Sequence, residues 1–467
     1  MGEIIWSIKD PSSVKESPIN SWPILLIKFI DDLVPRFGIF KNIPTIGGDL
    51  YDFSSKGLIK FVIDKIQGRQ AESVISFRIV HMPMVLVLDA ELSKEILMCK
   101  KVKRGRIYKR LGDFFGFGIF TSGIHDQWHH QRKVMFKLFQ RRNLEEITPR
   151  LAESMFRMFD SKLESGNPIE LQSVLSNMGL VGFCDVMFGV DITDIYSELT
   201  EPLNRLLAYI NGAIEPFVIE FDPSYQKFCS DRHFVHNWIR ELIDRARESP
   251  LCNPDLLLEL HNENLTEKEL VQFVLSIVFG GHETTSKLML AITYSLYHNR
   301  EAISKLNAET DAYFKTHNTY QLDIIKEPYL RNIIREGTRL YPSAWILSRE
   351  AQEEISFGPD SYEKGTQFLI SPLIFLRSEK IWGPNAEVFD PDRFDNLTDS
   401  ARKTFIPFVV GAENCPGKIF AELEASIVIS NLFYHYQLEF LEHELVINSA
   451  ITLRIVDRLP TIVRKRT

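Results

Sequence analysis

Phe408-Val409-Val410-Gly411-Ala412-Glu413-Asn414-Cys415-Pro416-Gly417 is the stretch whose reading decides this chain. It lies about fifty residues before the C-terminus and leads into helix-like sequence that begins at Lys418. A cysteine between glycines at a helix start sits where backbone amides stabilise a thiolate. Such a thiolate can ligate one metal axially, and a haem iron is the leading candidate. Pro416 follows without needing an amide donor, while Gly411 and Gly417 let backbone approach a flat ring. The competing reading is a buried cysteine in a Gly-rich turn, the commoner fate of a single cysteine. Other parts of the chain have to choose between the two.

With 45% hydrophobic residues in 467, the chain can bury a large core, and a mean hydropathy near zero suits a soluble protein. Phenylalanines outnumber tyrosines 33 to 14, which fits an apolar interior or an apolar ligand pocket. A formal charge of -8 argues against nucleic acid as a partner. The five cysteines (Cys99, Cys184, Cys229, Cys252, Cys415) are scattered and odd in number, which fits a reducing, intracellular compartment and no disulfide framework. The longest apolar run near the start, Trp22 to Ile30, is interrupted by Lys28 and is too short to span a bilayer. The expectation is therefore the cytoplasm or the cytosolic face of a membrane, with no transmembrane anchor in this chain. Residues 1–44 read as an N-terminal arm. Peripheral membrane contact through Trp22, Phe29, Phe37 and Phe40 is one role for it, and ordinary packing is the favoured one.

No repeat, low-complexity tract or long linker divides residues 45–467, so one large domain is expected. Residues 73–89 alternate with β-branched side chains and predict a strand pair turning at His81 to Pro83. Helical periodicity then dominates to about 345, with helices near 127–141, 145–164, 171–188, 198–214, 232–248, 266–297, 300–315 and 328–340. Thr266 and Glu269 form a capping box for the longest of these. Short strands return near 366–371 and within 445–463. The fold class is mainly α with a minor β region supplied from both ends.

Within the long helix, Phe279-Gly280-Gly281-His282-Glu283-Thr284-Thr285 is odd for an interior. Two adjacent glycines cost about 1 kcal/mol each against alanine, so a gain in room is expected: the helix widens, or a ligand lies against its backbone. Glu283 and Thr284 offer a carboxylate and a hydroxyl suited to relaying protons through water. A kinked core helix with a polar patch is the alternative. A His-Glu-x-x-His zinc site is excluded, because Ser286 stands at the second histidine. Glu336 and Arg339, at i and i+3, share a helix face, and Arg393 in Phe389-Asp390-Pro391-Asp392-Arg393-Phe394 supplies a second guanidinium. Two arginines flanking one buried glutamate would pin a loop. Trp128 and Arg132, at i and i+4, make a receptor for a carboxylate.

These five elements, in this order, resemble the cytochrome P450 superfamily of haem-thiolate monooxygenases over roughly residues 45–467. Each motif is weak alone, and together they are highly specific. The resemblance implies the P450 fold, a single haem-enclosing domain, and haem b bound non-covalently through the Cys415 thiolate. It implies that Thr284 with Glu283 delivers protons, and that Trp128, Arg132 and Arg349 hold the haem propionates. Phe408 and Gly417 bound the haem loop, and Glu336, Arg339 and Arg393 form the structural network. One departure stands at Glu413, where the family usually carries arginine or histidine against a propionate. Glu413 is expected to turn away or pair with a nearby base, leaving Arg132 and Arg349 for the propionates, so that E413R tightens haem retention. The block Phe114 to Phe120 looks most like the fatty-acid and long-chain hydroxylase groups. Gly280 stands where animal members of those groups often carry a glutamate that esterifies the haem, so no such bond forms here.

The function implied is insertion of one oxygen atom from dioxygen into a hydrophobic small molecule (a fatty acid, terpenoid or sterol-like compound). Phe114, Phe117, Phe120, Phe273, Ile277, Gly280, Trp345 and Ile346 are the expected pocket wall. No flavin or iron–sulfur motif is present, so electrons come from a separate reductase, a flavoprotein or a ferredoxin. Lys133, Lys137, Arg141 and Lys418 are its candidate docking face, and the chain is expected to be a monomer. The alternatives are a peroxide-dependent or isomerising enzyme, which the intact Glu283-Thr284 pair disfavours, and a non-catalytic haem-binding relative, suggested by Glu413.

Overall fold

Apolar residues at helical spacing build the frame. A computed structural model describes residues 58–466, except 70–71, 80–81, 117, 122–125, 164–166, 213–222, 442–446, 450–451 and 456–458. The N-terminal arm and Phe117 therefore lie outside the described residues. The helices are α1 (Leu58–Ile66), α2 (Ala90–Met98), α3 (Arg106–Phe115), α4 (Asp126–Leu138), α5 (Arg141–Leu163), α6 (Leu171–Phe188) and α7 (Tyr196–Gly212). They continue as α8 (Pro223–Glu248), α9 (Pro254–Leu260), α10 (Glu267–Tyr297), α11 (Arg300–Phe314), α12 (Pro328–Leu340) and α13 (Lys418–His435), with shorter turns between α12 and α13. The strands are β1 (Val74–Ile79), β2 (Met82–Val87), β3 (Val102–Arg104), β4 (Ile169–Glu170), β5 (Leu347–Ala351), β6 (Ile355–Phe357), β7 (Asp360–Tyr362), β8 (Gln367–Ile370), β9 (Tyr436–Phe440), β10 (Ile447–Ser449), β11 (Leu453–Ile455) and β12 (Pro460–Lys465). The fold is mainly α with a minor β region, as the sequence led us to expect.

α10 is the spine. Its capping box is in place: Thr266 Oγ1 accepts from the Glu269 amide at 3.3 Å, and the Thr266 amide donates to Glu269 Oε2 at 2.8 Å. The helix is buried along most of its length because α6, α8, α12 and α13 enclose it, α6 most closely. α6 is the one described helix long and apolar enough to cross a membrane, and 72% of it is buried inside the fold, as for a core helix. Gly337 of α12 lets that helix settle on α10, since a Cβ there would lie 2.2 Å from Ile292 Cγ1.

The main sheet runs β1-β2-β8-β5-β3, with β2 and β8 parallel and the other pairs antiparallel. Strands from early in the chain thus interleave with strands that follow α12. The β3–β5 register sets Arg104 directly opposite Arg349. Two cations opposite each other destabilise a strand pair unless an anion lies between them. That constraint shapes the site below.

The Glu336 network fixes the segment after the sheet. Arg339 and Glu336 are both fully buried and joined by two hydrogen bonds of 2.7 and 2.8 Å. Arg339 also donates to the carbonyls of Leu376 and Ala386, at 2.8 and 2.6 Å. Glu336 Oε1 accepts from the Asp390 amide at 2.9 Å and faces Arg393 Nε at 3.4 Å. Arg393 in turn donates to the carbonyls of Trp382 and Asn385. A buried ion pair satisfied on every side in this way holds loops together, and removing one partner costs about 3–5 kcal/mol.

Candidate active site

A cavity lies between α10, the C-terminal half of α4, the β5 edge and the loop before α13. The loop is held in shape before the helix begins. The Cys415 amide donates to the Phe408 carbonyl at 2.9 Å, Val409 takes φ 62° and Gly411 takes φ 83°. A left-handed conformation suits glycine and is an outlier for a β-branched residue such as Val409. Gly411 is needed twice over, since a Cβ there would also meet the Leu97 carbonyl at 3.1 Å. Gly417 is less constrained by space, its nearest prospective neighbour being Phe139 at 3.7 Å.

Cys415 opens into the cavity, along with Phe408 and Gly417. Burial holds its thiol above the ordinary range, against the opposing effects of the Gly417 amide and Arg132. The Gly417 amide at the helix start, as the sequence argument has it, and Arg132 both act in the direction of the thiolate. A bound metal cation would supply the missing stabilisation.

Arg132 and Arg349 line the same cavity, together with Arg104, which sequence reasoning missed. Glu413 Oε2 accepts from Arg104 Nε at 3.1 Å and lies 2.9 Å from Arg349 Nη2. The Arg104, Glu413 and Arg349 side chains are 11, 10 and 3% exposed. One carboxylate oxygen thus relieves the cross-strand arginine pair. Arg349 is not left free by Glu413, and Arg132 instead donates to the carbonyl and side-chain oxygens of Asn414 at 2.9 and 2.7 Å. Trp128 is buried behind Arg132, whose guanidinium stacks 4.9 Å from the indole, and it does not line the cavity. No motif marks Arg104; only the strand register reveals it.

Above the cysteine, α10 runs unbroken through Gly280-Gly281 rather than widening. The room is used by aromatic rings: a Cβ on Gly280 would lie 2.9 Å from Phe120, and one on Gly281 2.8 Å from Phe183. Thr284 faces the cavity with its hydroxyl donating to the Gly280 carbonyl at 2.9 Å. Glu283 does not face it. Its carboxylate accepts from Lys287 Nζ, one turn along the helix, and both side chains are buried. The pairing follows from the i,i+4 spacing of the two residues on one helix face.

The walls are apolar. Phe120, Ile277, Gly280 and Ile346 line the cavity, joined by Leu111, Phe115, Ile119, Phe279 and Leu288. Phe114, Phe273 and Trp345 do not; each is fully buried in the core. The helical turn explains the exchange, because Phe115 and Phe279 present the faces next to Phe114 and Phe273, and Phe114 packs on both of them.

The donor set suits a haem. A sulfur lies on one side, apolar walls on the other, and three cations along an edge face one carboxylate. That excess of two positive charges would be neutralised by two propionates. On the outer face, Lys133, Lys137, Arg141 and Lys418 are exposed. Lys137, Arg141 and Lys418 each lie within 4 Å of a neighbouring acid, as an ordinary solvated surface would have them.

The family model described as cytochrome P450 matches residues 40–459. The chain is similar to the cytochrome P450-like protein L532 of Acanthamoeba polyphaga mimivirus, 49% identical over all of this chain and 99% of that protein. It is 25% identical to the pentalenene oxygenase of Streptomyces avermitilis, over 74% of this chain and 80% of that one. It is 24% identical to the bifunctional cytochrome P450/NADPH–P450 reductase 2 of Bacillus subtilis, over 81% of this chain and 38% of that longer protein. With the cysteine loop, the cationic edge and this match in agreement, the chain belongs to the cytochrome P450 family of haem-thiolate monooxygenases, which bind haem b through a cysteine.

Proposed function

We propose that this protein inserts one atom of dioxygen into a hydrophobic small molecule held against α10, with electrons from a separate reductase. The observation that carries this reading is a cavity with Cys415 at one side and Phe115, Phe120, Ile277, Phe279 and Ile346 at the other. Haem b, when bound, supplies dioxygen activation, to which a thiolate ligand contributes electron density. The protein's share is placement. Cys415 ligates the iron, and Arg104, Arg132 and Arg349 hold the propionates beside Glu413. The aromatic walls exclude water and orient an apolar substrate, of the fatty-acid, terpenoid or sterol-like kind. Thr284 offers a hydroxyl at the cavity surface, where it can hold a proton-carrying water, and Glu283 is the acid nearest along the helix. We assign the domain to residues 45–467, and read the chain as a monomer in the cytoplasm or at a cytosolic membrane face.

The test is the absorption spectrum of the dithionite-reduced protein under carbon monoxide, followed by oxygen uptake with a flavoprotein or ferredoxin reductase. A Soret band strongly red-shifted from the histidine-ligated position, lost in C415S, and uptake stimulated by an apolar compound are the expected results. A histidine-type band overturns the assignment of Cys415. Peroxide-driven turnover without reductase-driven uptake would favour a peroxygenase.

A further inference from the structure

The acid of the expected proton relay is held by a lysine that no motif predicts. Glu283 and Lys287 lie one turn apart on α10 with side chains 6 and 8% exposed. Lys287 Nζ donates to Glu283 Oε1 and, at 3.2 Å, to Thr452 Oγ1. Thr452 and Thr284 line the cavity, whereas Glu283 does not. The next residue, Leu453, donates its amide to the Ser343 carbonyl at 2.9 Å, and the Ser343 hydroxyl donates to the Thr284 carbonyl at 2.9 Å. Hydrogen bonds together with the Thr452–Leu453 and Glu283–Thr284 peptide links therefore join the Glu283–Lys287 pair, the segment ahead of β11, the loop after α12, and Thr284. A buried ammonium beside a buried carboxylate favours the ionised acid, because separating the two would leave an uncompensated charge.

We infer that Lys287 is the positioning residue of the proton relay. It keeps Glu283 ionised and turned from the cavity, and through Thr452 it ties that position to the wall against which substrate lies. Proton delivery at Thr284 then depends on a side chain outside every motif of the chain. The inference rests on the oxygenase reading above, and it differs from a purely structural ion pair in what it predicts.

The test uses the full-length, haem-loaded protein. In K287M, Glu283 loses its counter-charge and takes up a proton, so the infrared difference spectrum against wild type gains a protonated-carboxyl stretch. That band is absent from K287M/E283Q and from K287R, while the haem propionates and other carboxyls cancel. A K287M spectrum without the band overturns the inference. In reductase-driven turnover with dodecanoic acid as the probe, K287M releases a several-fold larger fraction of consumed dioxygen as hydrogen peroxide. K287R restores most of the wild-type partition, and T452V shifts it in the same direction as K287M by less. A lowered thermal midpoint with an unchanged peroxide fraction, given wild-type turnover, overturns the inference in favour of a structural pair. Failure of the oxygenase reading looks different: no variant, wild type included, takes up dioxygen, and the infrared result still decides for or against the Lys287–Glu283 pairing.

Discussion

Replacing Glu413 by glutamine tests the logic of the cationic edge. In wild type, one carboxylate oxygen contacts Arg104 and Arg349 at 3.1 and 2.9 Å, with all three side chains at most 11% exposed. At an effective dielectric of 20, a unit-charge pair about 4 Å apart interacts by ~4 kcal/mol before desolvation. Removing one member of such a buried set costs about 3–5 kcal/mol. The loss is aggravated because β3 and β5 hold the two arginines opposite each other. For a chain of 467 residues, an unfolding entropy of about 2.1 cal/mol/K per residue turns this into a fall of roughly 3–5 °C in the thermal midpoint of the haem-free protein. Propionates approaching the same guanidinium groups should replace the missing anion, so the haem-loaded protein loses less. Haem therefore binds the folded E413Q chain more tightly than wild type, and E413R moves further in the same direction while destabilising the haem-free form more. Paired thermal melts and haem transfer to apomyoglobin measure both terms. Equal losses in the two forms would refute the idea that propionates reach Arg104 and Arg349, and no loss in either would refute the ion-pair geometry.

Other outcomes follow from buried groups. E336Q and R339K each break the fully buried Glu336–Arg339 set and should cost about 3–5 kcal/mol, seen as a midpoint several degrees lower or as loss of soluble protein; an unchanged midpoint would contradict the network. Burial pushes the Glu424 carboxyl up to about 8, and its oxygens make no hydrogen bond of good geometry. A folded-state value above the unfolded one means that stability falls as pH rises from about 4.5 to 8, so E424Q should match wild type near pH 4 and exceed it by about 3 kcal/mol at pH 7; a pH-independent difference would exclude this. His282, its ring nitrogen bonded to Ser176 at 2.6 Å, is held neutral by burial down to about 4, so H282Q should lessen the loss of stability on acidification from 6.5 toward 4 in pH-dependent melts. G281A should cost about 1–3 kcal/mol through overpacking on Phe183, whereas G280A should displace Phe120 and alter ligand affinity at the cavity, measured by spectral titration.

The helical frame was legible because long amphipathic helices announce themselves: the predicted 300–315 and 328–340 lie within two residues of the observed α11 and α12. Short helices such as α2 and α9 escaped, having too few turns for a period to emerge, and so did β5, whose Leu347-Ser348-Arg349-Glu350-Ala351 looks polar although four of its five residues are buried. Those polar residues are interior because β5 borders the cavity, so function overrode pattern. The same reason hid Arg104. The pocket wall was readable only in part, since neighbouring phenylalanines on one helix point in different directions, and a sequence of aromatics does not say which of them faces the void.

The left-handed Val409 bears on what holds the cysteine loop in shape. A branched side chain in that conformation opposes its own backbone preference by about 1–3 kcal/mol, so the surrounding contacts must over-determine the loop. Those contacts are protein to protein: the Cys415 amide on the Phe408 carbonyl, Gly411 against Leu97, and Arg132 on Asn414. The conformation around Cys415 is consequently braced by contacts of the chain with itself, so a change at Leu97 or Asn414 is felt at the sulfur.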